Sequence, residues 1–459
     1  MAGRASPMSR RALLLAAILS CLVAPTPSHA RRQPSSGGRV QVALPDPLRG
    51  ATRDALLLLP LAEADDAALS PTVRAARPLV PGTQVRSHVL DRIDTADDGV
   101  SWMLTPHGVQ PDLLESVRAC LSTTTETPGW PRRALAAAGV SVSVRADGAD
   151  LRATFSAAVS VLPQLLTGCW LRSPAGPTGA FEEGDGGVLV ARPDASGGPP
   201  LLHAVSLGDP GSPADVTHGD PLREGGSLLV ATWPDVLLLV LDGSARASDP
   251  LGLGDAGDAL VRFQRELAPE LLLAVAHGGR GAGTRSLLPP GVGPDGPPPG
   301  ARELSPPQPL QLRALSEDAP RLALRVASDD RLALGVADRL ALLLRARGWA
   351  TDRTAEAGPT AQIVRWRPPV ADAGLALLVL GDLLPGLVID PADAGQLLAG
   401  TASERASAAL TLERAWISER RVVPLLTASR WLVLHPLLRG VRIRGDGVPL
   451  LDDASWTAP

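Results

Sequence analysis

Short apolar runs, some alternating with polar residues and some unbroken, divide the chain into strands and helices. Residues 39–44 alternate polar and apolar side chains and stop at Pro45, which is typical of a half-buried strand. Residues 140–145 and 151–155 flank Ala-Asp-Gly-Ala-Asp, and this pattern predicts a β-hairpin. Leucine and valine recur at helical spacing over residues 111–121, which predicts an amphipathic helix.

The second half of the chain alternates strand and helix patterns more regularly. Two apolar runs in 228–242 suit strands buried on both faces of a sheet. A strand over 322–327, a helix over 331–347 with a polar cap, and a strand over 349–356 predict a βαβ crossover. The remaining patterns predict a central strand at 374–380, a helix at 404–419, and strands at 422–426 and 431–435. The Pro- and Gly-rich residues 289–308 predict an exposed loop.

The first thirty residues have the pattern of an export signal. Arg10 and Arg11 precede an apolar run of about 13 residues, and small residues end at Ala30, where cleavage is expected. A run of this length is shorter than the roughly 20 residues of a transmembrane helix. The paired arginines resemble a twin-arginine signal, although an ordinary secretory signal fits as well. Lipid attachment at Cys21 is a third and weaker interpretation. Because all three interpretations are of an export signal, we expect a periplasmic protein.

The amino-acid composition excludes several classes of function. The chain has 459 residues, 45% of them hydrophobic, which is enough for two or three domains. Its net charge of −4 lacks the basic footprint of a nucleic-acid-binding protein. Lysine is absent, which excludes a Walker-type phosphate loop and a Schiff-base lysine. The glycines of 252–257 fit a dinucleotide pattern but do not follow a strand directly, so a connecting loop is expected and no cofactor is predicted.

Two cysteines remain after the expected cleavage. Cys120 and Cys169 could form one disulfide in an oxidising compartment, or they could be two buried thiols, and the sequence leaves both states open. The seven histidines follow no metal-binding spacing, so no metal site is predicted.

Several segments resemble, in order, the extracytoplasmic solute-binding proteins of ABC importers, in the family that binds peptides and nickel. Residues 37–45 are similar to its opening strand, and residues 97–106 to its "dG-tWtftLr" segment. Residues 174–181, Pro-Ala-Gly-Pro-Thr-Gly-Ala-Phe, resemble its "P-vGTGPf" turn. The resemblance is degenerate, because the "W-DYPDP" stretch that lines the ligand cleft of the family remains only as residues 380–385.

The resemblance implies an α/β, two-lobed periplasmic-binding-protein fold of type II, with mixed sheets flanked by helices and a small extra subdomain in the larger lobe. The expected boundaries are a signal peptide over 1–30, a first lobe over 31–244 with the subdomain at about 80–160, a second lobe over 245–390, and the end of the first lobe over 391–459. The resemblance also implies a monomer that traps a peptide-like or other small solute and presents it to an ABC permease in the inner membrane, without being an enzyme.

A few residues are candidates for solute contact. Strand alternation places Arg365 and Arg367 on one face and Trp366 on the other, and an arginine pair can bind a carboxylate. For Arg365 and Arg367 the simpler alternative is a solvated strand face, and for Trp366 it is a place in the core.

The other candidates come from position in the chain. Trp233 and Trp431 could line a cleft or pack in a core, and Asp382 stands where the family meets its ligand or in an ordinary turn. Two alternatives to solute import stay open: an envelope protein of the same fold without transport, and a secreted hydrolase.

Overall fold

The structure is a computed structural model, and it describes residues 34–35, 38–64, 85–87, 89–96, 99–122, 129–193, 201–209, 214–217, 227–230, 234–254, 257–277, 281–290, 292, 310–327, 330–353, 359–384, 386–429, 431–444 and 447–457. The predicted signal residues Arg10, Arg11, Cys21 and Ala30 lie outside these ranges. No helix in the described ranges is both long enough and apolar enough to span a bilayer.

The first elements within the described residues include strands of a large sheet that the chain completes only much later. These elements are β1 (Pro34–Ser35), β2 (Arg39–Ala43), helix α1 (Asp46–Leu57), β3 (Leu59–Pro60) and β4 (Glu63–Ala64). Next come β5 (Val85–Arg86), β6 (Leu90–Thr95), β7 (Ser101–Pro106), α2 (Leu113–Leu121), α3 (Trp130–Ala137), β8 (Val142–Asp147), β9 (Asp150–Phe155), α4 (Leu162–Leu166) and β10 (Trp170–Leu171). Then follow β11 (Phe181–Glu183), β12 (Val188–Ala191), β13 (Ala204–Gly208), β14 (Val216–Thr217) and β15 (Ser227–Val230).

The second half alternates strands with helices. It contains β16 (Asp235–Leu241), α5 (Gly243–Ser248), α6 (Gly257–Leu267), α7 (Pro269–His277), β17 (Gly281–Gly283), β18 (Arg321–Arg325), α8 (Arg331–Ala346), β19 (Ala350–Asp352), β20 (Thr360–Trp366), α9 (Ala373–Leu383), α10 (Pro391–Leu398), α11 (Ala402–Ser418) and β21 (Val422–Ala428). The last strands are β22 (Trp431–Leu434), β23 (Leu438–Arg439), β24 (Arg442–Ile443), β25 (Pro449–Leu450) and β26 (Ser455–Thr457).

A seven-stranded mixed sheet has the order β11-β12-β13-β2-β14-β22-β15. Its central strand β2 pairs in parallel with both β13 and β14. Val40 and Val42 of this strand are buried and Gln41 is exposed, so the alternation predicted from the sequence is confirmed. Helix α1 and the strands near the C-terminus complete a hydrophobic core that belongs to this sheet alone.

A six-stranded mixed sheet has the order β17-β21-β16-β20-β18-β19. The predicted βαβ crossover is confirmed, because β18 and β19 pair in parallel and α8 connects them. Asp330 begins α8 as its N-cap, since its side chain accepts a hydrogen bond from the Ala333 amide. Strand β16, the second of the two apolar runs in 228–242, is buried on both faces as predicted, and β21 is also buried on both faces.

A four-stranded antiparallel sheet, β6-β7-β9-β8, forms a subdomain with helices α2, α3 and α4. The predicted hairpin is confirmed as β8 and β9, which turn through Gly148 at a φ of 68°. Such a φ is in the left-handed region that favours glycine. Cys120 of α2 and Cys169 before β10 are joined in a disulfide, so the structure has one of the two states that the sequence allowed.

The central strand expected at 374–380 is wrong, because these residues lie in helix α9. Residues 373–380 of this helix are buried on all sides, so the apolar run has neither a helical nor a strand periodicity. The deciding local signal is Asp372, whose side chain accepts a hydrogen bond from the Leu375 amide and caps the helix.

The two large sheets are connected by two crossovers of the chain. The first crossover runs from the end of β15 at Val230 to the start of β16 at Asp235, and the second from the end of β21 at Ala428 to the start of β22 at Trp431. The strands 235–241 and 422–428 therefore both belong to the six-stranded sheet. The expected lobe boundaries at 244/245 and 390/391 remain predictions.

Candidate functional site

The predicted arginine pair lies where β20 ends, at the edge of the six-stranded sheet from which the crossovers leave. Arg365 and Arg367 both bind the carboxylate of Asp235, the first residue of the neighbouring strand β16. Trp366 is 4% exposed and packs in the core on the other face of the sheet. Of the two positions considered for it, solute contact and the core, it therefore has the second. Its Nε1 is buried and has no hydrogen-bond partner among the described residues.

Asp235 lies between the two guanidinium groups. Its Oδ1 accepts a hydrogen bond of 2.9 Å from Arg367 Nε, and its Oδ2 accepts one of 3.1 Å from Arg365 Nη1. The Asp235 side chain is only 2% exposed, so the carboxylate depends on these charged partners in place of water. The carboxylate that the arginine pair holds in this structure is thus one of the chain's own.

Arg365 has a second acidic partner. Its Nε and Nη2 each donate a hydrogen bond of 2.7 Å to Asp330, which forms a bidentate pair. Asp330 also caps helix α8, so the pair connects the start of this helix to the end of β20. Burial alone would lower the pKa of Arg365, but the charges of Asp235 and Asp330 outweigh it and raise that pKa above its ordinary value.

His277, the last residue of α7, completes the group. Its Nε2 lies 2.7 Å from the carbonyl oxygen of Ser429, which is in the second crossover. Burial lowers the pKa of His277, and the charge of Arg365 lowers it further, against the opposite effect of Asp235 and Asp330. The contact with a carbonyl oxygen, which can only accept a hydrogen bond, assigns a proton to Nε2.

These residues, Asp235, His277, Asp330, Arg365 and Arg367, are called the crossover cluster below. Asp235 begins β16 directly after the first crossover and Ser429 lies in the second, so the cluster fixes the points where the chain enters and leaves the six-stranded sheet. Its two arginines and two aspartates balance in charge. An external carboxylate would therefore share the guanidinium groups with Asp235, and simple anion capture is not favoured.

Asp382, another predicted contact residue, is not brought to this cluster. Asp382 lies in the last turn of α9, where its carboxylate accepts a 2.9 Å hydrogen bond from Arg133 of the subdomain. Trp233 lies outside the described residues. Trp431 begins strand β22 of the seven-stranded sheet, and its side chain is outside the described part of the chain.

Sequence reasoning missed three members of the cluster. Asp330 was covered only by the polar cap predicted for the helix over 331–347, and neither Asp235 nor His277 was singled out. The register of the sheet would have been needed, because it pairs Val236 with Trp366 and so brings residues 130 positions apart together. Among the described residues, no group of three or more His, Cys, Asp or Glu side chains could hold a metal ion.

Comparisons with known proteins define the fold. Neither a protein-family model nor a curated protein matches the chain. Solved structures do match, including the dipeptide-binding protein of Pseudoalteromonas sp. SM9913 in complex with Met-Leu, with 12% identity, a TM-score of 0.64, and coverage of 88% of this chain and 94% of that one.

Two further structures match over a similar length. The periplasmic binding protein DppA of Helicobacter pylori in complex with the peptide STSA has 12% identity, a TM-score of 0.63, and coverage of 92% and 99%. NikA of Brucella suis in complex with Fe(III)-EDTA has 13% identity, a TM-score of 0.61, and coverage of 91% and 100%. The chain therefore has the two-lobed α/β fold of the peptide- and nickel-type periplasmic binding proteins, as the sequence predicted.

Proposed function

We propose that this chain is the extracytoplasmic solute-binding component of an ABC-type importer, which traps a small solute between two lobes. The observation that carries the proposal is the fold, which matches solute-binding proteins over almost their whole length. The names of these proteins include a dipeptide, a longer peptide and a metal chelate among their ligands. A peptide-like or other small polar solute is the corresponding proposal for this chain.

The two crossovers supply a hinge for such a protein. In place of the boundaries expected at 244/245 and 390/391, we assign one lobe to the seven-stranded sheet and the other to residues 235–428, which contain every strand of the six-stranded sheet. Closure of one lobe on the other around a solute needs only a difference of a few kcal/mol in the affinity of the open and closed forms. The crossover cluster sets the geometry of this hinge, because it binds chain segments at both crossovers.

The solute-contact residues favoured by position are the two tryptophans at the crossovers. Trp233 stands between β15 and β16 in the sequence and Trp431 directly follows the second crossover, so an indole is expected near each connection between the sheets. A tryptophan ring offers a large apolar face to a bound solute together with one hydrogen-bond donor. Arg365 and Arg367 hold the buried carboxylate of Asp235, so they would act on a solute only indirectly, through the geometry of the hinge.

The proposal also covers the export of the protein and its membrane partner. The basic and apolar pattern of residues 1–30 supports cleavage after Ala30 and delivery to the periplasm, by either the twin-arginine or the general route. A monomer would then present the closed form to an ABC permease in the inner membrane. The protein is proposed to be a binding protein without catalytic activity, like the proteins that it resembles in fold.

A second candidate function is an envelope protein of this fold that does not transport. The observation that favours it is the position of Asp235, which occupies the arginine pair that would otherwise be available to a solute carboxylate. In that case the cleft would bind no carboxylate-bearing solute, and the crossover cluster would serve only to hold the two lobes.

A thermal-shift screen with dipeptides, short peptides and metal chelates tests the proposal. We expect at least one compound class to raise the melting temperature, and Trp233→Ala to weaken its binding at least tenfold. Trp349→Ala is the matched control, because Trp349 packs at the outer core of the six-stranded sheet and should change stability without changing affinity. A library that leaves the melting temperature unchanged would favour the envelope protein without transport.

A further inference from the structure

We infer that the subdomain moves as one rigid body with the six-stranded lobe, although the chain inserts it into the seven-stranded lobe. The surface between the subdomain and helices α9, α10 and α11 is called the seam. It is formed by apolar packing along α9 and by polar contacts at both ends of that helix. The inference concerns how the protein moves and does not depend on which solute it binds.

The apolar part of the seam is a continuous core. Helix α3 of the subdomain packs against α9, and buried residues of both belong to the same hydrophobic cluster as the inner face of the six-stranded sheet. Leu135 of α3 and Leu377 of α9 are both fully buried in it. Helix α9 is apolar on every side because it has the sheet on one side and the subdomain on another. Separation of the two bodies would expose this apolar surface to water.

At the start of α9 the seam is closed by hydrogen bonds from Ser160 of the subdomain. The Ser160 amide donates to the Leu398 carbonyl oxygen at 2.8 Å, and its hydroxyl donates to the Gly400 carbonyl oxygen at 2.8 Å. The same hydroxyl accepts a 3.0 Å hydrogen bond from Arg405 Nη1. One small side chain of the subdomain thus contacts the end of α10, the following turn and helix α11.

Arg405 connects this contact to α9 itself. Its Nη2 donates a 3.0 Å hydrogen bond to Asp372, the residue that caps α9, and the arginine side chain is 8% exposed. A buried pair of this kind is costly to break, because the remaining charge would lose its only compensation. At the other end of α9, Asp382 binds Arg133 of the subdomain at 2.9 Å. Polar contacts therefore join the subdomain to the six-stranded lobe at both ends of α9.

The contact between the subdomain and the seven-stranded lobe is different. The core of the seven-stranded lobe is a separate cluster, which does not continue into the subdomain within the described residues. The contacts follow the connecting chain itself, as where the Thr178 hydroxyl donates to the Leu171 carbonyl oxygen and accepts from the Leu59 amide. Opening of the lobes would therefore bend these connections and the two crossovers while leaving the seam intact.

Distances between pairs of spin labels, measured by double electron–electron resonance, test this inference. The full chain is used, in the Cys21→Ser background. Labels go on exposed positions: Ser143 of the subdomain, Leu342 of the six-stranded lobe and Glu182 of the seven-stranded lobe. A pair within one lobe, Arg325 and Leu342, supplies the reference width. We expect the Ser143–Leu342 distribution to match this reference, and both distributions that involve Glu182 to be broader or bimodal.

A second variant tests the seam itself with the same labels. Ser160→Ala removes the hydroxyl from the seam, and we expect it to broaden the Ser143–Leu342 distribution at least twofold relative to the reference pair. A Ser143–Leu342 distribution as broad as that of the Glu182 pairs, or narrow distributions for all pairs, would overturn the inference. Failure to bind any solute, with the expected distances, would count against the proposed function and leave the inference standing.

Discussion

Replacement of Asp235 by asparagine tests whether the arginine pair depends on this carboxylate. The substitution keeps the shape of the side chain but removes its charge. Arg367 would then lose its ion pair with Asp235, while Arg365 would keep the carboxylate of Asp330. We expect the protein to lose stability because the positive charges at the end of β20 are no longer balanced.

The size of the loss follows from the burial of the group. Breaking a buried ion pair costs about 3–5 kcal/mol. The side chains of Arg365 and Arg367 are 28% and 22% exposed, so water partly compensates them, and the lower end of the range applies. We therefore expect Asp235→Asn to lower the free energy of unfolding by about 3 kcal/mol.

Urea unfolding followed by tryptophan fluorescence measures this change. Asp338→Asn is the matched control, because Asp338 also binds an arginine, Arg353, but its side chain is 71% exposed. An exposed pair contributes about 0–1 kcal/mol, so the control should unfold almost as the wild type does. In Asp235→Ala, acetate should raise the urea midpoint by entering the emptied position, whereas it should not change the wild-type midpoint.

Equal effects of Asp235→Asn and Asp338→Asn would refute the reasoning. Such a result would mean that the arginine pair is solvated in the folded protein and does not need Asp235. The crossover cluster would then be a surface feature, and a solute carboxylate could bind it directly.

Three further changes test the structure elsewhere. Replacement of Cys120 and Cys169 by serine should lower stability by about 4 kcal/mol by calorimetry, because their bond closes a loop over a sequence separation of 49. Burial raises the pKa of the Glu413 carboxyl, so the folded protein favours its protonated form. As the pH rises from about 4.5 through the raised value, wild type should therefore lose stability relative to Glu413→Gln in urea titrations. Gly281→Ala should destabilise by about 2 kcal/mol, because its Cβ would lie 2.0 Å from a facing backbone oxygen, whereas Gly335→Ala in α8 meets no atom and should stabilise by up to about 1 kcal/mol.

Contradicting results for these changes are specific. An unchanged melting temperature without the disulfide would mean that the subdomain is held by its core alone. Parallel pH profiles for wild type and Glu413→Gln would place the carboxyl in water. An unaltered Gly281→Ala protein would show that strand β17 is free to shift.

Local patterns predicted the parts of the fold whose residues lie close together in sequence. The β8–β9 hairpin and the βαβ unit around α8 depend on neighbouring residues, so alternation, caps and glycines were sufficient. Helix α9 was mistaken for a strand because an element that is buried on all sides carries no periodicity. Its cap Asp372 was the one local signal that distinguished the two structures.

The candidate site was only half predictable for a related reason. Alternation on β20 correctly placed Arg365 and Arg367 on one face, but it could not tell what they bind. Their partner Asp235 arrives through the pairing of β16 with β20, which depends on the register of the whole sheet. Asp382 was assigned to the ligand cleft from a degenerate motif, and the structure places it in α9 against Arg133.

Native mass spectrometry of the protein purified from the envelope of its own source tests the central claim most directly. If the two lobes trap a solute, the native protein carries an additional small mass that is released on denaturation, and Trp233→Ala carries less of it. A single mass equal to that of the bare chain, in protein that also shows no change of lobe distance with any added solute, would contradict the account.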